Sequence, residues 1–149
     1  EAYLTPLLSC SELDGEICFD PGSVVVKQSL QNILQSAKEK FMTNPDDLRG
    51  ILIEGHSDNE AIPPKLAEKY PTNWELSSAR AAVVVNYLIN DGVNSGRLSA
   101  SGYADRWPAG ATWNEVRSGV VDDAYIAQKN ADETQRSKNR RIKIIFAIR

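Results

Sequence analysis

The segment NWELSSARAAVVVNYLI, residues 73–89, is the feature that most constrains what this chain can fold into. Thr72 and Glu75 stand three residues apart at its start, which is the spacing of a helix-capping box. The pair Asp91-Gly92 just after it is a strong helix stop. The segment is therefore predicted to form one long helix from about residue 73 to residue 90.

One charged side chain lies on the apolar side of this helix. At about 100° per residue, Leu76, Val83 and Tyr87 fall within about 40° of one another, and Arg80 falls on the same side. An arginine there points toward the predicted core. Either its side chain extends past the apolar surface to solvent, or a partner holds it at the edge of the core for a purpose.

Other segments of the chain predict the remaining elements. Residues 23–42 carry apolar side chains at helical spacing, and RGILIEGHSD is a buried strand that ends in polar residues. RLSASGYAD and RRIKIIFAIR are also predicted strands, the latter with alternate apolar side chains on one buried face. The prolines between residues 59 and 72 argue against regular structure. Residues 105–130 give no clear pattern, and a short polar helix in ADETQRSKN follows them.

These elements predict an α/β (α+β) fold. The order is β-α-β-α-β-(α)-β, with helices that are apolar on one side only. This order fits a two-layer sandwich in which helices cover one face of a mixed four-stranded sheet. A chain of 149 residues with 42% hydrophobic and 25% charged content is typical of one globular domain, which we predict to span residues 1–149.

Residues 1–17 are predicted to be an N-terminal extension that contains a hairpin. Asp14-Gly15 is a strong turn signal, and a three-residue loop there would place Cys10 opposite Cys18. Directly opposed residues lie about 4.5 Å apart at Cα, at the short end of what a disulfide accepts. A Cys10–Cys18 disulfide is therefore predicted, which would indicate an oxidising compartment. A pair of reduced thiols is the alternative.

Charge and motif content argue against several classes of function. The balance of 17 basic and 20 acidic residues gives a net charge of −3, so the positive field typical of nucleic-acid binding is missing. No apolar run reaches the ~20 residues of a membrane-spanning helix. The single histidine, His56, lacks the motif partners of a serine hydrolase or a zinc site, and we predict a structural role for it. No enzymatic activity, metal or cofactor is predicted.

Two charged residues remain as candidates for a binding site. Asp58 follows a buried strand, and Arg80 lies in the first two turns of the next helix. A strand-loop-helix unit would bring them together at the rim of the core. One interpretation is a plain Asp58–Arg80 salt bridge. The other is a pair that binds a zwitterion, in which the carboxylate takes an ammonium and the guanidinium takes a carboxylate.

Four motifs occur in a specific order: GHSDNEAI, NWELSSARAAVVVNYL, GVNSGRLSASGYAD and QRSKNRRIKI. Together they resemble the C-terminal, peptidoglycan-binding domain family of OmpA over roughly residues 18–149. The form YPTNWELSSARA is most similar to the branch of MotB-type stator proteins. That branch includes stators of the flagellar motor and of the Zorya phage-defence system.

The resemblance implies a noncatalytic module that binds the diaminopimelate residue of the peptidoglycan stem peptide. Matched by motif, Asp58 would face the ammonium of diaminopimelate and Arg80 its carboxylate. The remaining positions implied by the resemblance are Asn73, Leu76 and Ser77 in the pocket wall, Phe19 and Asp20 in the opposite lip, and Arg140 as a brace. Asn73 could instead only cap the helix, and Phe19 could only fill the core.

Three features depart from the family pattern. Ser57 replaces the usual threonine and keeps its hydroxyl group. Ala104 replaces a glycine, so we expect the backbone there to avoid positive φ. Residues 109–136 form a long insertion, in which Trp113 and Tyr125 could cover the ligand cleft or contact a partner.

The main hypothesis that follows is a periplasmic module of an inner-membrane protein that anchors an ion-driven stator to the cell wall. Such a protein is expected to be a homodimer and to meet its membrane-embedded partner subunit through a transmembrane segment that precedes this sequence. The alternative keeps the fold but uses it for dimerisation or protein-protein interaction. A cell-wall hydrolase is a third hypothesis, with no nucleophile or catalytic acid pair to support it.

Overall fold

The computed structural model describes residues 3–11, 18–20 and 23–148. The strands are β1 (Tyr3–Ser11), β2 (Gly50–His56), β3 (Leu98–Gly102) and β4 (Arg141–Ile148). The helices are α1 (Gln28–Met42), α2 (Pro64–Ala67), α3 (Asn73–Asn90), α4 (Trp113–Arg117), α5 (Asp123–Gln128) and α6 (Glu133–Asn139), with a 3-10 turn at Ser95–Arg97.

The four strands form one mixed sheet in the order β1-β4-β2-β3. β4 is antiparallel to both β1 and β2, whereas β2 and β3 are parallel. The ends of β1, β2 and β3 and the start of β4 therefore lie at the same edge of the sheet. The predicted mixed four-stranded sheet is confirmed, as is the predicted order of its last three strands along the chain.

One face of the sheet is covered by α1 and α3. The core between them consists of alternate strand residues and of the apolar sides of both helices, with Leu30, Leu34, Phe41, Ile51, Ile53, Val84, Leu88, Ile142, Ile144 and Phe146 as its main members. Burying a side chain of this size contributes about 1.5–3 kcal/mol. The two-layer sandwich is therefore confirmed, with helical and strand periodicities that converge on one core.

β1 lies in the segment that was predicted to be an N-terminal hairpin, and it is a strand of the main sheet. It spans Tyr3–Ser11 and pairs with β4, so that the backbone of Cys10 lies opposite Ile142. Cys18 is buried but is not part of a strand. The expected Asp14-Gly15 turn lies outside the described residues, as does the side chain of Cys10, so the disulfide stays a prediction. A register shift after Pro6 interrupts the ladder, which an edge strand tolerates.

Two further segments are more regular than the sequence indicated. The proline-rich loop contains the short helix α2, with Pro64 at its first position, where a missing backbone N–H has no helical partner to lose. Residues 105–130, which gave no clear pattern, contain α4 and α5. Each begins with a capping side chain, Thr112 and Asp122 respectively. These short helices are stabilised at their starts by capping side chains, and neither carries a long apolar stripe.

The backbone at Ala104 contradicts the expectation for this position. Its φ is +53°, in the left-handed region that usually costs a non-glycine residue about 1–2 kcal/mol. Hydrogen bonds hold it there: the Ala104 N–H donates to Ser77 Oγ at 3.0 Å, and the Ala104 carbonyl accepts from the Ser57 N–H at 2.8 Å. The two serines tie the end of β2, the end of β3 and the start of α3 together.

Candidate functional site

A pocket lies at the edge of the sheet where β2 ends and β4 begins. It lies between these strands, α3 and the segment around Phe19. Its walls are formed by Cys18, Phe19, Gly55, His56, Ser77, Arg80, Arg140, Arg141 and Ile142. Four of the predicted site residues, Phe19, Ser77, Arg80 and Arg140, therefore meet at one cavity.

Arg80 holds one lip of this pocket. Its Nε donates to the carbonyl of Ser23 at 3.0 Å, and one terminal nitrogen donates to the carbonyl of Asp20 at 3.3 Å. Its guanidinium carbon lies 5.1 Å from the ring centroid of Phe19, a cation–π distance. The Asp20 carboxylate is exposed and pairs instead with Lys27 at 2.8 Å. Asp20 therefore shapes the lip through its backbone.

The position of Arg80 on α3 is less buried than the helix geometry suggested. The buried side of α3 consists of Leu76, Ser77, Ala81, Val84 and Leu88. Arg80 lies on the flank of this stripe and is half-buried, as are Val83 and Tyr87. The arginine is therefore held at the rim of the core by carbonyl groups and an aromatic ring rather than within it.

Asp58 is held by an arginine from the far end of the chain. Arg140 donates to Asp58 at 2.6 Å, and it also contacts Glu133 and the hydroxyl of Ser137 in α6. Asp58 is buried, and its second oxygen accepts the N–H of Glu60 at 3.0 Å. The Arg140 contacts hold the pKa of Glu133 below its usual value. These contacts fit the bracing role that the family resemblance implied for Arg140.

The other predicted positions support the site from behind. The Asn73 side-chain amide donates to the carbonyl of Glu60 at 3.0 Å, and Thr72 rather than Asn73 is the helix cap. Leu76 and Ser57 are buried. Asn73, Leu76, Ser57 and Asp58 are not among the residues of the pocket wall. They fix the loop and helix that carry the wall.

The sequence analysis missed Arg141, which also lines the pocket. It follows Arg140 directly, and its guanidinium donates to the carbonyls of Asn139 at 3.1 Å and Trp107 at 3.0 Å. Burial lowers its pKa to about 10, which leaves it charged at neutral pH. The signal was its position between Arg140 and Ile142, at the start of a strand whose alternate residues are apolar.

A buried histidine-carboxylate pair lies next to this arginine. The ring of His56 is stacked on Tyr103 with 5.3 Å between centroids, and its Nε2 lies 3.2 Å from Glu54 Oε1. Burial lowers the pKa of His56 to about 4, although Glu54 opposes the shift, and the nearby charge of Arg141 lowers it further. His56 is therefore neutral at physiological pH, which fits the predicted structural role.

This shift predicts a pH-dependent stability. In the unfolded chain, His56 takes up a proton as the pH falls below its usual pKa of about 6.5, whereas in the folded chain it does so only near pH 4. Protonation therefore favours the unfolded chain between these values. Lowering the pH from 6.5 to 5 should reduce the free energy of unfolding by about 2 kcal/mol. Urea unfolding at pH values in this window measures the effect. His56→Gln should be nearly independent of pH there, whereas an equal loss in the variant would assign the effect to other groups.

The insertion predicted at residues 109–136 packs beside the pocket. Trp113 is exposed and Tyr125 is half-buried. In α6, Glu133 contacts Arg140, and Arg136 lies 3.3 Å from Glu60. These ion pairs connect the insertion to the loop that carries Asp58. The insertion therefore packs against the site. Trp113 and Tyr125 do not cover the pocket, since neither side chain is part of the pocket wall.

Two other kinds of site are missing from the described part of the chain. No group of three or more histidine, cysteine or acidic side chains there could hold a metal ion. Within the same residues, no helix has the length and hydrophobicity needed to cross a membrane.

Comparison with known proteins gives the family. The family model described as "OmpA family" matches residues 18–120, which is more than half of the chain. The chain belongs to the OmpA family. The match covers the lip at Phe19, both strands of the parallel pair and the helix that carries Arg80. It ends within the insertion, and Arg140 and Arg141 lie beyond it.

Individual members of the OmpA family and related structures resemble the chain to different extents. The uncharacterized protein YtxE of Bacillus subtilis is 35% identical over 97 residues, which is 64% of this chain and 38% of that protein. The chain thus matches well under half of its curated relative.

Solved structures also share the fold, and two of them illustrate the similarity. The periplasmic domain of Helicobacter pylori MotB superposes with a TM-score of 0.65 at 22% identity and covers 93% of this chain and 73% of that one. The cell wall anchor of the type VI secretion system of Pseudomonas aeruginosa gives a TM-score of 0.64 at 29% identity, with 88% and 75% coverage. The fold of this OmpA-family chain is therefore that of MotB-type domains and cell wall anchors.

Proposed function

We propose that this chain is a noncatalytic peptidoglycan-binding module that holds the diaminopimelate residue of the stem peptide. The observation that carries the proposal is the pocket at the edge of the sheet, which has Arg80 on one lip and Arg140, paired with Asp58, on the other side. A cation and an anion-cation pair thus flank this pocket.

The charges of this site suit a zwitterionic amino-acid group. The walls carry three arginines, and the acidic groups that pair with them or lie beside them are Asp58, Glu133 and Glu54, so the site offers charges of both signs. A guanidinium binds a carboxylate with two parallel hydrogen bonds. We propose Asp58, which Arg140 and the Glu60 N–H hold just behind the pocket wall, as the acidic group that meets the ammonium. Diaminopimelate carries an ammonium and a carboxylate on the same carbon atom.

Related proteins support wall anchoring as the purpose of this binding. The secretion-system protein that shares 29% identity with this chain is described as a cell wall anchor. The MotB structure is a periplasmic domain. We propose the same compartment here, and a role in anchoring an ion-driven, stator-type membrane complex as a homodimer. The Cys10–Cys18 disulfide belongs to this proposal because the periplasm is oxidising.

A second function uses the same fold as a dimerisation module without wall binding. In that case the Asp58–Arg140 pair and the carbonyl contacts of Arg80 are only structural braces. The ion pairs that join α6 to the pocket loop would then order an interface built on residues 109–136. Self-association of the purified chain together with no affinity for the wall would favour this function.

Sedimentation with purified sacculi tests the proposed function. The wild-type chain should sediment with sacculi that contain diaminopimelate, and Arg80→Ala should reduce its apparent affinity by about tenfold, since a charge-assisted hydrogen-bonded contact is worth roughly 1.5–3 kcal/mol. The loss is not larger because Arg140 and Arg141 still line the pocket.

The matched control is Arg97→Ala, which removes an arginine at the opposite end of the sheet. Arg97 donates to the carbonyls of Arg49 and Phe41 and does not line the pocket. Both variants need an unfolding curve first, so that only folded protein is compared. Equal retention of wild type and Arg80→Ala would remove the role of Arg80.

A further inference from the structure

An aromatic stack lies next to the pocket and is open to solvent on one side. The guanidinium carbon of Arg117 lies 5.3 Å from the ring centroid of Trp113 and 5.8 Å from that of Trp107. One cation is therefore shared by two indole rings. Trp113 is 54% exposed, so a large part of its ring surface is open to a ligand.

The stack is fixed in position and is joined to the pocket. The indole N–H of Trp107 donates to the carbonyl of Ala111 at 2.9 Å. The Trp107 ring packs edge-to-face on Tyr103 at 5.2 Å and on His56 at 6.2 Å, and its carbonyl accepts from Arg141. Because His56 and Arg141 line the pocket, the stack is in direct contact with the pocket wall.

We propose that Trp113 and Arg117 bind the glycan strand of the same peptidoglycan whose stem peptide occupies the pocket. This inference rests on the proposed function. In peptidoglycan, two stem residues separate diaminopimelate from the sugar, and two extended residues span about 7 Å. The sugar would therefore lie near the pocket, and the stack is a direct neighbour of it, because the Trp107 ring contacts both the pocket residue His56 and the guanidinium of Arg117.

The chemistry of the stack suits a sugar ring. The apolar C–H face of a pyranose packs on an indole face, and the outward N–H groups of a guanidinium donate to hydroxyl and acetamido oxygens. A protein partner is a poorer fit. In the described part of the insertion, the exposed large hydrophobic side chains are Trp113 and Val120. Two such side chains supply far less apolar surface than the roughly 800 Å² that each partner of a stable protein interface buries.

Calorimetry with two ligands separates the glycan contact from the peptide contact. One ligand is the L-Ala-D-Glu-diaminopimelate tripeptide, and the other is a glycan tetrasaccharide that carries the same tripeptide. The wild-type chain should bind the glycan-bearing ligand about fivefold more tightly, a difference of the size given by one aromatic contact. Trp113→Ala should lose this difference and keep its affinity for the tripeptide. Trp113→Phe should retain most of it.

The control variant is Leu48→Ala, which removes another exposed apolar side chain, 83% accessible and in the loop before β2 at the opposite end of the sheet. It should behave as wild type with both ligands. An unchanged ratio of affinities in Trp113→Ala would overturn this inference and leave the proposed function intact. A change in self-association without a change in that ratio would overturn it in favour of a second copy as the occupant. Failure of the wild type to bind the tripeptide would overturn the proposed function and this inference with it.

Discussion

Replacing Gly55 with alanine is expected to destabilise the fold by about 3 kcal/mol, at the upper end of the usual cost of overpacking. A Cβ atom on Gly55 would lie 2.2 Å from the carbonyl oxygen of Ser77 and 3.0 Å from its carbonyl carbon. Both atoms belong to the backbone of α3, so a side-chain rotation cannot relieve the clash. The helix would have to move away from β2.

This displacement should also weaken ligand binding. Gly55 and Ser77 line the pocket, and Arg80 stands one turn further along α3. Urea unfolding monitored by circular dichroism measures the stability. Gly96→Ala is the matched control, because its nearest neighbour would be the Asn94 side chain at 3.4 Å, an ordinary contact. Gly55→Ala and Gly96→Ala of equal stability would contradict the close approach of α3 to β2.

Most of the fold could be predicted because its long elements have local signals. α1, α3 and β4 each carry an apolar periodicity over eight or more residues, which specifies both the type of element and its buried side. β1 lacks such support. It contains Pro6 and pairs with β4, whose residues lie 130 to 145 positions later in the chain, so its formation depends on a partner that no local pattern identifies.

The candidate site could be predicted only in part, for a similar reason. The motifs around Asp58 and Arg80 predicted two charged residues at the rim of the core, and the structure places Arg80 in the pocket wall and Asp58 behind it. The ion pair that holds Asp58 joins it to Arg140, 82 residues away, and local spacing gives no signal for such a contact. The left-handed backbone of Ala104 depends likewise on Ser57 and Ser77. Tertiary hydrogen bonds there outweigh the local preference.

The largest effect on binding is expected from a change in the ligand rather than in the protein. Lysine differs from diaminopimelate only in lacking the carboxylate next to its terminal ammonium. A stem peptide with lysine would offer the guanidinium of Arg80 in the pocket wall no carboxylate to bind. Removing one partner of a desolvated charge pair costs about 2–5 kcal/mol, so we expect at least a thirtyfold loss of affinity.

The most direct test of the central claim is therefore calorimetric titration of the wild-type chain with two tripeptides, L-Ala-D-Glu-diaminopimelate and L-Ala-D-Glu-L-Lys. Asp58→Asn, which keeps the size of the side chain but removes its charge, should bind the diaminopimelate peptide weakly and so report on the ammonium side of the site. Measurable affinity for the diaminopimelate peptide, with roughly a hundredfold weaker binding of the lysine peptide, is the predicted result. Equal affinity for the two peptides, or no affinity for either, would contradict the proposal that this pocket recognises diaminopimelate.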